Sequence, residues 1–249
     1  MIELTNISKR YWIHRRRQLL AQHAWKKIRR ATEEFWALRN VSFRVRSGES
    51  VAIVGANGAG KSTLLSIIAG VTNPSAGSLR RNGRVGALLE LGTGFHPDLT
   101  ARENIVLNGS LLGMSRAEVA ARFDSIVAFS ELERFLDETV RTFSSGMTAR
   151  LGFAVAIHAD PEVLLLDEVF AVGDASFQKK CIEKVASFSR EGKTLLFVTH
   201  ALGDALTMCP RALWLEQGTL KMDGPTKEVI ACYQCADQPV IQAAGARHG

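Results

Sequence analysis

The sequence predicts an α/β fold in which helices cover both faces of a mostly parallel β-sheet. Three short, largely apolar segments at 50–54, 163–166 and 194–199 indicate buried strands, and helix signals separate them along the chain. Strands that alternate with helices favour a parallel sheet. Both ends of the chain carry strand patterns with little helix, which predicts an added antiparallel β subdomain.

Alternating apolar residues at 2–7 and 37–45 predict two strands in the N-terminal part of the chain. A basic insert at 12–35 lies between them. The stretch 9–30 holds nine Lys or Arg and no Asp or Glu. Because the whole chain has 31 basic and 25 acidic residues, the part outside this stretch is slightly acidic. The positive charge of the protein is therefore concentrated in one segment.

The insert is predicted to form a basic amphipathic helix, because Leu20, Ala24, Ile28, Ala31 and Phe35 recur at helical spacing. Three uses of this helix are open on sequence grounds: a solvated surface helix, a contact with anionic lipid or a membrane partner, and nucleic-acid binding. Attraction to an anionic membrane is worth about 1 kcal/mol per basic residue. The size of the cluster therefore favours the lipid contact.

Residues 55–62 form a candidate phosphate-binding loop. They spell Gly-Ala-Asn-Gly-Ala-Gly-Lys-Ser, which matches G-x-x-x-x-G-K-[ST], between a predicted strand and a helix that begins at Lys61. The glycines allow backbone N–H groups to surround a phosphate, and the helix N-terminus adds a favourable dipole. In this pattern Lys61 reaches the β- and γ-phosphates and the Ser62 hydroxyl binds Mg²⁺. The predicted nucleotide-binding residues here are Gly55, Asn57, Gly58, Gly60, Lys61, Ser62 and Thr63.

Two carboxylates follow the buried strand at 163–166. Asp167 and Glu168 come directly after it, at the carboxyl end where open α/β sheets bind ligands. Asp167 is predicted to hold Mg²⁺ through water, and Glu168 to polarise the attacking water. The pair, together with the phosphate loop, favours hydrolysis of a nucleotide over binding alone.

The middle of the chain is predicted to be a helical subdomain at about 100–160. Thr100 and Ser115 each stand three residues before a Glu, which is the spacing of a capping box at a helix start. A further helix is expected from about Ser145. Near the C-terminus, the pattern at 211–222 predicts an antiparallel hairpin.

Length and composition predict a single domain and disfavour a membrane-spanning, secreted or disulfide-rich protein. The 249 residues suit one domain, expected at 1–235 with a short tail at 236–249. No window approaches the ~18–20 apolar residues of a membrane helix, and the N-terminus lacks a secretion signal, so we expect the protein in the cytoplasm. Four Cys argue against a disulfide scaffold.

Four further features resemble ATP-binding cassette (ABC) proteins. The run Phe-Ser-Ser-Gly-Met at 143–147 resembles the L-S-G-G-Q signature, with three substitutions. Asp174 follows Asp167 at the spacing of the family's D-loop, and His200 ends a strand where the family has its switch histidine. Tyr11 lies upstream of the phosphate loop, where the family keeps an aromatic residue that stacks on adenine. Trp12 is an adjacent candidate for the same role.

Within this family the sequence most resembles the ATPase subunits of polysaccharide exporters, which serve O-antigen, teichoic acid and related glycans. The resemblance rests on residues 90–104, on the Ser-Ser-Gly-Met signature, and on Phe-Trp-Ala-Leu at 35–38. Glu90 stands at the Q-loop position, where most ABC proteins have Gln. A carboxylate there can still bind Mg²⁺ or water, so we expect altered coupling and not loss of function.

The resemblance implies a P-loop NTPase fold of the ABC-ATPase type, with ATP and Mg²⁺ as cofactors. Two copies would form a head-to-tail homodimer, with each ATP held between one subunit's Lys61 loop and the other subunit's signature. The residues that this implies beyond the phosphate loop are Tyr11, Ser144, Ser145, Gly146 and Asp174 for the nucleotide, Glu90 for the metal, and Glu168 and His200 for catalysis.

The resemblance also implies what the ATPase would drive: export of a lipid-linked, O-antigen-like polysaccharide across the inner membrane. A separate polytopic permease would hold the protein at the cytoplasmic face of that membrane. Too few residues follow the ATPase for the C-terminal glycan-binding domain of some relatives, so we expect none. The alternative is a soluble ABC ATPase that acts on nucleic acid or ribosomes. The absence of a coiled-coil insertion or second cassette disfavours it, and we expect no nucleic-acid partner.

Overall fold

The computed structural model describes residues 1–14, 32–88, 94–167, 173–199 and 201–237, which form two β-sheets and the helices around them. The strands, in chain order, are β1 (Ile2–His14), β2 (Thr32–Val45), β3 (Ser50–Val54), β4 (Ala76–Arg81), β5 (Val85–Leu88), β6 (Val163–Asp167), β7 (Thr194–Val198), β8 (Arg211–Glu216) and β9 (Thr219–Pro225). The α-helices are α1 (Lys61–Ala69), α2 (Ala101–Leu111), α3 (Arg116–Ser130), α4 (Ser145–His158), α5 (Ala175–Arg190), α6 (Leu202–Met208) and α7 (Thr226–Asp237).

The larger sheet has six strands in the order β5-β6-β7-β3-β8-β9, and only β9 runs antiparallel to its neighbour. Successive residues of its central strands point to opposite faces. Ile53 and Leu165 pack on one side with α1, whereas Val54 and Leu166 pack on the other side with α4 and α5. Because both faces are buried, these strands carry the nearly continuous apolar runs seen in the sequence. The predicted α/β fold with a mostly parallel sheet is confirmed.

The smaller sheet is antiparallel, with the order β2-β1-β4. The prediction of an antiparallel β subdomain is therefore confirmed at the N-terminal end of the chain. At the C-terminal end it is wrong, because the hairpin β8–β9 extends the six-stranded sheet through the parallel pairing of β8 with β3. Strand β4 was not predicted, since its sequence Ala-Gly-Ser-Leu-Arg-Arg lies mostly exposed and lacks an apolar alternation.

Strand pairing continues into the predicted helical insert. β1 extends to His14 and β2 begins at Thr32, so both flanks of the insert at 12–35 are strand. Phe35, predicted to belong to the apolar stripe of a helix, instead lies in β2 directly opposite Tyr11. A continuous antiparallel ladder satisfies the backbone groups of both flanks, which overrides the helical spacing of the side chains. The rest of the predicted helix, at 15–31, lies outside the described residues.

The helical region follows the predicted starts closely. Thr100 and Ser115 each cap their helix through a reciprocal capping box with Glu103 and Glu118. Helices α2 and α3 bury apolar residues against α4, and this cluster forms a core of its own. Helices α6 and α7 were not predicted, and α7 includes the first two residues of the expected tail at 236–249. In the described part of the chain, no helix is long and apolar enough to span a membrane.

Candidate nucleotide site

The candidate site lies at the carboxyl edge of the six-stranded sheet. Strands β3, β7 and β6 are parallel neighbours, with Ile53 paired to Val198 and Val198 paired to Asp167. Neighbouring strands lie about 4.8 Å apart, so the phosphate loop after β3 starts about 10 Å from the end of β6. The fold thus brings the loop at 55–60 and Asp167, which are far apart in sequence, to one edge.

Two glycines of the loop are required by the surrounding backbone. Gly55 has φ 149°, and a Cβ there would lie 2.1 Å from the carbonyl oxygen of Leu215. Gly60 has φ 101°, and its Cβ would lie 2.5 Å from the carbonyl oxygen of Ala37. Both conformations are ones that residues with side chains rarely adopt. These glycines allow the loop, which joins β3 to α1, to pack closely against the backbones of β8 and β2.

Gly58 differs from the other two because no described residue crowds its open side. Its φ is 78°, and among the described residues nothing lies within 4 Å of the position that a Cβ would take. A ligand can therefore approach the loop backbone closely at this residue, as phosphate binding by N–H groups requires. Asn57 and Gly58 are both exposed.

Lys61 places a buried positive charge inside the loop. The residue is only 6% exposed, and its Nζ donates hydrogen bonds to the carbonyl oxygens of Gly55 at 2.7 Å and Ala56 at 3.0 Å. Lys61 also begins α1, whose N-cap is Gly60, a residue with no side chain to cap the first N–H groups. A buried ammonium next to an uncapped helix N-terminus is a strong site for a phosphate group.

Ser62 and Asp167 are the predicted metal ligands that lie within the described residues. Ser62 is exposed on the first turn of α1, and Asp167 is half-buried at the end of β6. A hydroxyl and a carboxylate are the oxygen donors that Mg²⁺ prefers, with phosphate and water filling the other positions. The donor set therefore fits Mg²⁺ bound together with a nucleoside triphosphate. Thr63, next to Ser62, is half-buried.

The signature segment caps helix α4. Ser144 is the N-cap residue, and its Oγ accepts a hydrogen bond from the N–H of Met147 at 3.2 Å. Ser144 and Ser145 are exposed. Apart from its chain neighbours and the adjacent helix backbone, the described heavy atom nearest to a Cβ at Gly146 would be the Ser144 Oγ, 3.8 Å away. Because α4 packs with α2 and α3, this helix N-terminus belongs to the helical region and not to the phosphate loop.

Asp174 has both of its carboxylate oxygens engaged by the protein. Oδ1 accepts a hydrogen bond from the N–H of Phe177 at 2.9 Å, which makes Asp174 the N-cap of α5. Oδ2 accepts one from Arg150 of α4 at 3.1 Å. The Phe177 hydrogen bond and, to a lesser degree, the Arg150 charge lower the pKa of Asp174, against an opposing effect of burial. The residue was predicted to line the nucleotide site, and in the folded chain it also joins α4 to α5.

Arg150 joins two helices near the site and was not predicted from the sequence. Its guanidinium pairs with Glu131 and with Asp174, each at 3.1 Å, and lies 4.7 Å from the centre of the Phe177 ring. It stands one turn and a half beyond Ser144 in the same helix, so it ties the signature helix to the helix after β6. A single charged residue next to the apolar run at 151–157 was the only signal in the sequence.

Substitution of Asp174 separates its capping role from its charge. Asp174→Asn keeps an oxygen that can accept from Phe177, whereas Asp174→Ala removes the cap and the ion pair. We expect Asp174→Ala to lower the thermal midpoint at neutral pH more than Asp174→Asn does. Folding lowers the pKa of Asp174, so its ionised carboxylate stabilises the folded protein. This stabilisation is complete above the ordinary aspartate pKa of about 3.9 and is lost as the pH falls through the lowered pKa of the folded state. Thermal unfolding followed by circular dichroism over a pH series measures both effects, and equal midpoints for the two variants would contradict the capping role.

Tyr11 and Trp12 lie on opposite faces of β1, because they are consecutive residues of a strand. Both rings are accessible, with 41% of Tyr11 and 56% of Trp12 exposed. Tyr11 shares its face with Lys9, whose Nζ lies 5.2 Å from the centre of the ring. Trp12 shares its face with Arg10, which lies 5.3 Å from the Trp12 ring. The strand therefore offers two distinct aromatic surfaces.

Three predicted residues, Glu90, Glu168 and His200, lie outside the described part of the chain. The strands that precede them are described. β5, β6 and β7 run parallel, and Leu88 pairs with Leu166 near their carboxyl ends. The chain is therefore at the carboxyl edge of the sheet when it leaves each of these strands.

This chain is similar in sequence to ATP-binding proteins of ABC transporters. The family model described as ABC transporter matches residues 38–171. The chain is 52% identical over 198 residues to the O-antigen export system ATP-binding protein RfbB of Myxococcus xanthus, covering 80% of this chain and 45% of that protein. It is 49% identical over 203 residues to the protein of the same name in Klebsiella pneumoniae, covering 82% of each. The match thus spans less than half of the Myxococcus relative.

The fold of this chain is also similar to that of a solved ATP-binding cassette. The dimeric post-hydrolysis state of the ATP-binding cassette MJ0796, bound to ADP and Pi, has a TM-score of 0.72 and 25% identity to this chain. The alignment covers 91% of this chain and 99% of that one. The structural likeness therefore includes both sheets and the helical region.

Proposed function

Because the chain belongs to the ABC transporter family, we propose that it binds and hydrolyses ATP to power export of a lipid-linked polysaccharide of the O-antigen type. Its fold is that of the ABC ATPase cassettes. The phosphate loop beside Asp167 supports the nucleotide chemistry. The identity to an O-antigen export ATP-binding protein, over most of both chains, is the observation that carries the class of cargo.

The phosphates of ATP would bind at the loop between β3 and α1. Backbone N–H groups around Gly58 would approach the phosphate oxygens, and the buried Lys61 ammonium would contact the β- and γ-phosphates. Ser62 and Asp167 would hold Mg²⁺, which when bound neutralises negative charge on these phosphates. Because Lys61 is already held by two loop carbonyls, its charge is placed before the nucleotide arrives.

Hydrolysis needs a group that polarises water next to the γ-phosphate. Glu168 follows Asp167 in the sequence, and Asp167 ends β6 at the edge where the phosphate loop lies. We assign it the role of general base, and His200, which follows β7, the role of hydrogen-bond donor to the γ-phosphate. Glu90, two residues beyond β5, would contribute at the same edge as a ligand of Mg²⁺ or of water.

A second copy of the chain would complete the site. The N-terminus of α4 presents exposed Ser144 and Ser145 on the helical region. In a head-to-tail dimer these groups and Gly146 would bind the γ-phosphate held by the other subunit's Lys61 loop. Asp174 would lie near this contact through its link to α4.

Coupling to transport requires a transmembrane permease as a separate subunit. ATP binding would close the ATPase dimer and change the conformation of the permease, and hydrolysis would reset it. The ATPase would then be peripheral at the cytoplasmic face of the inner membrane. The basic residues at 15–30 would contact anionic headgroups there, since each such residue is worth about 1 kcal/mol at an anionic surface.

Purification of the chain together with its membrane partner tests the proposed cargo. We expect a polytopic membrane protein and a lipid-linked glycan to co-purify, both identified by mass spectrometry. After reconstitution in vesicles, glycan transfer across the bilayer should require ATP, with ADP as the control. Co-purification with ribosomes or nucleic acid, without a membrane protein, would overturn the export function but leave the ATPase function standing.

A further inference from the structure

Lys9 occupies a position between the Tyr11 ring and the loop that follows the phosphate-loop helix. Its Nζ donates hydrogen bonds to Thr72 Oγ1 at 2.8 Å and to the carbonyl oxygen of Asn73 at 2.7 Å. The same ammonium lies 5.2 Å from the centre of the Tyr11 ring. This distance is within the range of a cation–π contact. Lys9 therefore covers one face of a ring that is otherwise accessible.

The loop that accepts these hydrogen bonds is itself fixed to α1. The N–H groups of Val71 and Thr72 both donate to the carbonyl oxygen of Ser66 in α1, at 3.0 and 3.3 Å. Gly70 closes the helix in the left-handed conformation. A continuous set of contacts thus runs from the start of α1 at Lys61, along the helix, through Thr72 to Lys9 and the Tyr11 ring.

Beyond Ser8, β2 is the only described strand that pairs with β1, because the pairing of β1 with β4 ends there. A two-stranded ribbon is only marginally stable by itself, so contacts with the body of the protein stabilise its position. Tyr11 lies in this ribbon. Hydrogen bonds between the strand and the 72–75 loop, including that of Ser75 N–H to the Ser8 carbonyl at 2.7 Å, join the ribbon to the core at its base. The Lys9 side chain contacts both this loop and the Tyr11 ring, and so links the ring to the loop.

We propose that Lys9 is a positioning residue for the nucleotide base, which holds the Tyr11 ring at a set separation from the phosphate loop. The inference rests on the proposed ATP site, with the base stacked on the face of Tyr11 opposite Lys9. A base and a triphosphate are parts of one covalently linked ligand of limited reach, so both subsites bind it at once only when their separation lies within that reach. Lys9 sets that separation through α1, without touching the phosphates.

The test compares binding of the whole nucleotide with binding of its phosphates alone. In the full chain, Lys9→Met should raise the KM for ATP about three- to tenfold, the scale of the net contribution of one ordinary hydrogen bond. The kcat, and the inhibition constant of inorganic tripolyphosphate, should stay within about twofold of wild type. Lys9→Arg, which keeps a donor and a cation, should restore most of the affinity for ATP.

Two further variants isolate the contact. Thr72→Val removes one acceptor of the Lys9 ammonium and should raise the KM for ATP in the same direction, even if Lys9→Met folds poorly. Arg10→Met is the matched control, because Arg10 contacts Trp12 and Trp36 on the opposite face of the ribbon and pairs with Glu34. It should leave the KM unchanged.

Failure of the Lys9 positioning role and failure of the proposed ATPase function give different results. An unchanged KM in Lys9→Met, or a parallel rise in the KM and in the tripolyphosphate constant, overturns the positioning role. If wild type hydrolyses ATP but Tyr11→Ala has an unchanged KM, the base does not stack on Tyr11 and the inference fails with it. If wild type hydrolyses no ATP, the proposed function fails first.

Discussion

Replacement of Lys61 by methionine is expected to lower ATP hydrolysis by at least about 100-fold while the chain stays folded. Methionine has nearly the length and volume of the lysine stem, so it fills the same buried position in the loop. It lacks the ammonium that, by the proposal, neutralises the β- and γ-phosphates. Because this charge is buried at 6% exposure, solvent does not substitute for it.

The Lys61→Met experiment measures initial rates of phosphate release and equilibrium binding of a fluorescent ATP analogue. Both should fall, because the charge contacts the ground-state phosphates as well as the transition state. The carbonyl groups of Gly55 and Ala56 lose a donor, so a small decrease in thermal midpoint accompanies the change. Lys179→Met, on the exposed side of α5, is the matched control and should behave as wild type. A Lys61 variant with near-normal rate and binding would exclude the loop as the phosphate site.

Replacement of Glu168 by glutamine should lower the hydrolysis rate about 100- to 10,000-fold and leave ATP binding intact, which distinguishes it from Lys61→Met. The amide has the shape of the carboxylate but cannot accept a proton from the attacking water. Bound ATP should therefore persist, and if a head-to-tail dimer forms, it should accumulate in the ATP state.

Single-turnover hydrolysis, ATP retention after gel filtration and the oligomeric state of the ATP-bound variant are the readouts for Glu168→Gln. The control is Glu183→Gln, at an exposed position of α5. Loss of ATP binding together with hydrolysis would place Glu168 in the binding site and not in the chemical step. A normal rate would mean that another group activates the water.

Local patterns predicted the phosphate loop and several element boundaries closely. β3 was expected at 50–54 and lies at Ser50–Val54, because a strand buried on both faces needs an uninterrupted apolar run. The capping boxes at Thr100 and Ser115 placed two helix starts, because their hydrogen bonds form within four consecutive residues. The glycines around Lys61 were recognisable for the same reason, since the motif is complete within eight residues.

Features that depend on distant partners were not predicted. β4 is a strand because its backbone pairs with β1, although its side chains show no apolar alternation. Phe35 belongs to a strand because its backbone faces that of Tyr11 across the ribbon. In both places the ladder of backbone hydrogen bonds decided the structure, and side-chain spacing carried no information about it.

The chemical groups of the site can therefore be predicted from the sequence, whereas the way the fold brings them together cannot. The types and order of Gly60, Lys61, Ser62 and Asp167 indicate phosphate and metal binding, because the reacting groups are consecutive in the chain or end a recognisable strand. Which strands become neighbours, and which residues join the separate pieces, was decided only in the folded molecule. The Lys9 contact with Thr72 and Tyr11 is an example. This contact exists because strand pairing and burial bring together segments more than sixty residues apart. No local sequence pattern predicts a contact between such distant segments.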